Sequence, residues 1–261
     1  MNNFFFNRII TRCIYTVIIT VLLLILLNQN VFAQSSKKTS KILEAACLYK
    51  PNTTFLFEAV YDSSGTIQTE YIVMSIFPAV YAGEIVILYT YYKNIPEIVN
   101  GDSIVNVEDQ IEKMGEETLL IDHKKYIKLH PPRGGKYILS EYFPFPSMKL
   151  PVKAGEKSKY GFLTTHIPVP TTHKFLWLKY KMKNFSAIPY QYKDSLIEIY
   201  EKKGTVVSYI GENTASYLFN EDLGFVKWRL STSYNVSLEF TLIDTYPFLL
   251  RNYKQHTLHI K

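Results

Sequence analysis

The sequence predicts an all-β, mostly antiparallel protein: a large curved sheet or partial barrel with one or two short helices, placed after an N-terminal signal peptide. Three observations carry this. Short segments rich in Val, Ile, Tyr, Phe and Thr alternate with turn residues along nearly the whole chain. Several of them alternate apolar and polar side chains with the period of two that marks a half-buried strand. No fixed-period repeat is present, which argues against a propeller or solenoid.

The first element is an address. Arg8 and Arg12 precede an uncharged, mostly apolar run from Ile14 to Leu27, and Val31-Phe32-Ala33 offers the small and apolar residues that a signal peptidase reads. The run is shorter than the roughly 20 residues a spanning helix needs. Residues 1–33 are therefore expected to be cleaved after Ala33, which places the mature chain in the periplasm or outside the cell with no permanent membrane span. Cys13 leaves with the leader and Cys47 stays alone, so no internal disulfide forms. Small and apolar neighbours mark Cys47 as a buried structural thiol, and neither cysteine has the context of a lipid-modified cleavage site. Residues 34–47 read as a polar tether, Gln34 to Ser40, leading into a short helical turn from Lys41 to Leu48.

Residues 48–261 read as one β-rich domain. Thr53 to Tyr61, the turn Asp62-Ser63-Ser64-Gly65 and Thr66 to Phe77 form a hairpin. Glu84 to Lys93 follows; Asn94 to Gly115 is polar and suits a loop or one short helix. Strands resume at Thr118 to Leu129, break at Pro131-Pro132-Arg133-Gly134-Gly135, and return at Lys136 to Phe143. Pro144-Phe145-Pro146 cannot lie in the centre of a sheet and marks a subdomain junction near residues 144–147. Beyond it lie Lys149 to Lys153, Ser158 to His166, Phe175 to Lys183, Leu196 to Glu201, Thr205 to Ile210, Ala215 to Phe219, Gly224 to Ser231 and Val236 to Asp244.

Alternation assigns faces. Leu176, Leu178, Tyr180 and Met182 share one side, with Trp177, Lys179, Lys181 and Lys183 on the other. Val226, Trp228 and Leu230 likewise oppose Lys227 and Arg229. Tyr71 to Phe77 and Ile85 to Tyr92 are apolar on both faces, which predicts central strands covered on each side.

The function classes narrow mostly by exclusion. The leader holds two of the 29 basic residues and none of the 23 acidic ones, so the remainder carries a mild formal +4. That excess is scattered and no nucleic-acid motif accompanies it, so nucleic acid is not an expected partner. Neither His166 with His173 nor His256 with His259 has a metal-ligand spacing, and no cofactor motif is present. A Gly-x-Ser-x-Gly nucleophile elbow is absent. Adjacent Asp122 and His123 point to opposite faces of a strand and cannot orient one another; Glu116, Glu117, Glu141 and Glu198 form no pair that sequence alone can recognise. Three Asn-x-Ser/Thr triplets, at Asn52, Asn184 and Asn235, matter only in a host that glycosylates exported proteins.

Aromatic residues, with 21 Tyr and 16 Phe, are the most unusual feature of the composition. Most are expected to pack strands, and a subset offers a surface for an acyl chain, sugar face or peptide: Tyr89, Tyr91, Tyr92, Tyr142, Trp177 and Tyr180. The stripe Lys179, Lys181, Lys183 beside Trp177 adds a site for anionic lipid headgroups or glycans, against the plainer reading of a solvated strand face.

Phe143-Pro144-Phe145-Pro146, Leu150 to Lys157, and Tyr217 to Trp228 together resemble the layout of exported bacterial β-rich domains of unknown function called TapB-like. Those domains show a proline, an apolar pair, a Gly-Asp/Glu-Lys turn and an aromatic, then later a tyrosine before Gly-Leu-Val-Lys. Here Tyr160 stands where tryptophan is usual, and the cysteine elements between the two blocks are missing. The resemblance covers about the second half of the mature chain. It implies an antiparallel β fold, an envelope location and no assigned catalytic residue, with Gly155 and Gly224 as turn or close-approach glycines and Trp228 as a core anchor. The expected function is that of an exported envelope protein acting without catalysis as a binding or assembly component, with an envelope protein, lipid or glycan as partner. A carrier of a hydrophobic ligand and a glycan- or peptide-hydrolysing enzyme are the alternatives.

Overall fold

A computed structural model describes the backbone of residues 48–81, 84–99, 102–104, 110–123, 126–164, 176–208 and 211–247. The leader, the tether, Cys47 and the histidines after 247 lie outside these residues. So do His166, His173 and the side chains of Glu116, Glu117, Asp122, His123, Tyr160 and Trp177.

The fold is mostly antiparallel β, as the alternation predicts. The strands are β1 (Thr53–Ser63), β2 (Thr66–Tyr81), β3 (Glu84–Tyr92), β4 (Glu97–Val99), β5 (Asp102–Ile104), β6 (Gln110–His123), β7 (Tyr126–Leu129), β8 (Ser147–Lys149), β9 (Lys157–Thr164), β10 (Leu176–Tyr192), β11 (Ser195–Ser208), β12 (Gly211–Asn220), β13 (Gly224–Ser231) and β14 (Val236–Pro247). One 3-10 helix, Gly135–Tyr142, precedes β8. Twelve strands form one sheet in the order β8-β7-β6-β3-β2-β1-β14-β13-β12-β11-β10-β9, and β4 and β5 form a separate ribbon.

That order describes two up-and-down meanders joined by the β1–β14 ladder. Strands β8 and β9 are the two edges, yet only Leu150 to Glu156 separates them in the chain. Eleven strand steps of about 4.8 Å would set those edges about 53 Å apart in a flat sheet, whereas the connection spans at most about 28 Å. The sheet must curl, and it forms a partial barrel open between β8 and β9. Its concave side holds the main core, with Phe57 (β1), Ile72 (β2), Ile87 (β3), Met182 (β10), Tyr217 (β12), Trp228 (β13) and Phe240 (β14) all buried in one cluster.

The convex face of the central strands is covered too: Leu56, Val73 and Tyr92 are buried there, with Ile98 of β4 packed on them. This is the two-sided burial expected of Tyr71 to Phe77 and Ile85 to Tyr92. The first hairpin also forms as read: Ser63 pairs with Thr66, Ser64 and Gly65 take φ of 53° and 92°, and Asp62 accepts the Gly65 N–H at 2.9 Å.

Several elements differ from the sequence reading. Lys149 to Lys153, read as a strand, keeps only Lys149 in β8. Asn94 to Gly115 contains the β4–β5 ribbon and the start of β6 rather than a loop or helix. Thr118 to Leu129 is two paired strands, β6 and β7. Leu196 to Glu201 and the described part of Thr205 to Ile210, up to Ser208, merge into β11, with Gly204 inside it, where a Cβ would strike the Lys181 backbone across the ladder. Lys136 to Phe143, read as a strand, instead holds the 3-10 helix to Tyr142: both sides of the preceding β7 are taken by β6 and β8, and the segment crosses the concave side.

Candidate functional site

The segment from His130 to Met148 crosses the concave side and places side chains of its own there. Tyr137, Phe143 and Met148 are buried in the main core. Tyr137 stacks on Tyr91 with ring centroids 5.1 Å apart and meets Phe240 at 5.8 Å; Trp228 stacks on Phe240 at 4.7 Å and meets Phe57 edge-on at 5.0 Å. Polar groups anchor the segment. Lys136 Nζ donates to Glu70 Oε1 at 2.7 Å and to Gln68 Oε1 at 3.0 Å, and the Tyr137 hydroxyl donates to Glu70 Oε2 at 2.6 Å. Burial, reinforced by that bond to a carboxylate, pushes the Tyr137 hydroxyl far above the usual tyrosine range.

A second cluster surrounds His130. Its Nδ1–H donates to the Pro131 carbonyl at 3.0 Å, which leaves Nε2 to accept from Arg133 Nη1 at 3.3 Å. Phe145 packs on the ring at 4.2 Å, and the Tyr89 hydroxyl donates to the His130 carbonyl at 2.8 Å. Burial above all, then the nearby Arg133 and Lys128 charges, lower the imidazole to about 4 against its bond to Pro131. It is neutral at physiological pH, so the Glu141 carboxylate, 3.7 Å from both His130 and Arg133, answers the charge of Arg133. The cluster ties the segment in place; its acid–base capacity lies well below neutral pH.

A third lies beside the opening. Lys202 of β11 is buried and donates to the Ser147 carbonyl at 2.9 Å and to Ser147 Oγ at 3.3 Å, tying β8 to the far side of the barrel. The Tyr217 hydroxyl makes a second tie, to the Pro144 carbonyl. Burial lowers the Lys202 ammonium to about 8 despite the attraction of Glu156.

The convex face of β9 to β11 is basic. Lys179, Lys181 and Lys183 are exposed on β10, opposite the buried Met182 and the partly buried Tyr180, which packs on the core. In register, Lys183 lies between Lys157 of β9 and Lys203 of β11, both exposed. Lys159 stands opposite Lys181. Phe185 sits between two ammonium groups, 5.2 Å from Lys183 Nζ and 4.9 Å from Lys203 Nζ.

Among the sequence-predicted aromatics, the five whose side chains are described do not share one surface. Tyr89 and Tyr91 are buried in the main core, Tyr92 is buried on the opposite face, and Tyr142 and Tyr180 are partly buried against the core. The three stripe lysines do share one exposed face. Sequence reasoning missed Lys157 and Lys203 as its neighbours, because the pairing of β9 and β11 with β10 cannot be read from spacing. It also missed Glu70 and Lys136, 66 residues apart in the chain. Among the described residues, no group of three or more His, Cys, Asp or Glu is placed to hold a metal, and no helix is long and apolar enough to cross a membrane.

No protein-family model matches the chain, and no curated protein matches it in sequence. Solved structures with a similar course of chain include a protein described as exported, with a YmcC-like fold, from Bacteroides fragilis (TM-score 0.44, 8% identity, 77% of this chain and 98% of that one). Others are a protein described as a lipoprotein from Parabacteroides distasonis (0.46, 8%, 76% and 96%) and the hypothetical lipoprotein YmcC from Escherichia coli (0.35, 10%, 84% and 93%). Likeness at this level carries no inference about function.

Proposed function

We propose that this chain is an exported cell-envelope protein that acts without catalysis, as a binding or assembly component working through its outer surfaces. The leader supports export: Arg8, Arg12, the apolar run to Leu27 and the Ala33 cleavage position. The burial of Tyr137, Phe143 and Met148 on the concave side carries the choice of mode. A carrier of a hydrophobic ligand needs a continuous apolar cavity, and Tyr137, Phe143 and Met148 occupy the place where a curved sheet would hold one. The finer assignment to TapB-like domains is carried only by the short segments around Pro144 and Tyr217 to Trp228.

Native mass spectrometry with lipid extraction, on protein purified from its own envelope, tests this reading. The expected result is a mass that begins at Gln34 and carries no adduct. A stoichiometric lipid would overturn the surface mode in favour of a carrier, and a retained leader would overturn cleavage after Ala33.

A further inference from the structure

We infer that the convex face of β9 to β11 is a docking surface for a linear acidic polysaccharide. The inference rests on the surface-acting mode proposed above and names its partner.

The observation is a lysine array, not a single stripe. One row across the strands runs Lys157, Lys183, Lys203; in the next, Lys181 and Thr205 are paired and exposed, with the backbone of residue 159 in register beside them. Along β10 the exposed lysines repeat about every 6.7 Å, and neighbouring strands add about 4.8 Å. Like charges directly opposite one another on a sheet destabilise it, so the array works against its own fold unless something anionic covers it. Neutralisation within the protein is partial. Glu201 pairs with Lys203 at 3.0 Å, whereas among the described residues no carboxylate pairs with Lys157, Lys181 or Lys183.

The rest of the face selects among anions. The rows continue as Ser216 and Arg229, and as Thr214 and Ser231, so hydroxyls and a further cation extend it. Arg229 is well exposed, although it shares Glu239 with Lys227. A bilayer-docking face sets projecting aliphatic or aromatic side chains among its cations. Among the described residues of this face, Val207, opposite Lys179, is an exposed aliphatic side chain, and the ring of Phe185 beside Lys183 and Lys203 is only partly exposed. Lysines are hydrated point charges on flexible stems, which suit charges spaced along a polymer better than one fixed bidentate group. Phe185, held between two ammonium groups, offers a ring for the apolar face of a sugar.

The test uses the protein exported with its own leader and purified from the envelope, titrated calorimetrically with polygalacturonate, and with neutral dextran as control. The triple variant Lys157→Gln, Lys181→Gln, Lys183→Gln is expected to bind polygalacturonate at least about tenfold more weakly, with a shallower dependence on salt. Lys149→Gln, on β8, is expected to change neither, and an unchanged circular-dichroism melt or a raised one shows that the triple variant folds. The inference is overturned if the wild type ignores polygalacturonate, if the triple variant binds it as tightly, or if vesicles of phosphatidylglycerol and phosphatidylcholine are bound instead and lose the triple variant. A bound lipid in native mass spectrometry would sink the surface-acting mode by itself. A clean mass with no polygalacturonate binding would sink only the choice of partner.

Discussion

Gly224 combines both reasons for which a chain keeps glycine. Its φ is 82°, and an added Cβ would collide with the ring of Tyr49, whose hydroxyl accepts the Phe225 N–H at 2.9 Å. Gly224→Ala is expected to cost about 2 kcal/mol or more, read from the urea midpoint, because backbone strain and the clash act together. Gly155→Ala, at φ 79° with open space around it, carries the strain alone and should cost less. Both glycines and the core role of Trp228 were legible in the sequence; Tyr49 was not, because it precedes the first strand and belongs to no periodic pattern. The three Asn-x-Ser/Thr triplets acquire a local meaning. Asn52 and Asn235 take positive φ, which asparagine tolerates in tight turns, and Asn184 is buried, out of reach of glycosylation in the folded protein.

At the scale of elements, the segment from Lys136 to Tyr142 shows where local preference yields to topology. Tyr137, Ile138 and Leu139 favour a strand, but the Pro131-Pro132 and Gly134-Gly135 pairs redirect the chain, and both sides of β7 are taken. Its attachment rests on Glu70, whose two oxygens meet Lys136 and Tyr137. Tyr137→Phe keeps the stacking on Tyr91 and removes one donor from a partly buried carboxylate, so a loss of about 1–3 kcal/mol is expected. Tyr137→Ala also loses the ring contacts, and about 3–5 kcal/mol is expected. Equilibrium denaturation of the two variants separates the hydroxyl from the ring. Strand existence and facing were legible wherever alternation was clean, as in β10 and β13. The β4–β5 ribbon was not, because three-residue strands show no period.

Over the whole molecule, buried titratable groups shape the dependence of stability on pH. His130 is lowered to about 4 from 6.5, so between those values the unfolded chain binds more protons and stability falls as pH falls. Asp244 adds to this at still lower pH. Burial raises its carboxyl, but Lys193, the Thr245 N–H and the Tyr246 hydroxyl outweigh that and hold it below its ordinary range. Lys202 is lowered to about 8 from 10.5, again with more protons on the unfolded chain, so stability rises as pH climbs from about 8. Tyr137 and Tyr217 are raised above 10, and their unfolded forms ionise first, which lowers stability beyond pH 10. Thermal melts across this range are expected to peak between about pH 8 and 10; Lys202→Met should abolish the rise, and His130→Asn should flatten the acid limb above pH 4.

The curvature and the antiparallel class were legible in patterning. The strand order was not, since nothing local announces that β1 lies beside β14. That ladder has a consequence for the order of events in the cell. The central seam of the sheet joins Thr53–Ser63 to Val236–Pro247, so it cannot close until the last strand is available. A chain threaded through a membrane from its N-terminus would remain without this ladder until Val236–Pro247 has also crossed, so the two meanders could be joined only on the far side.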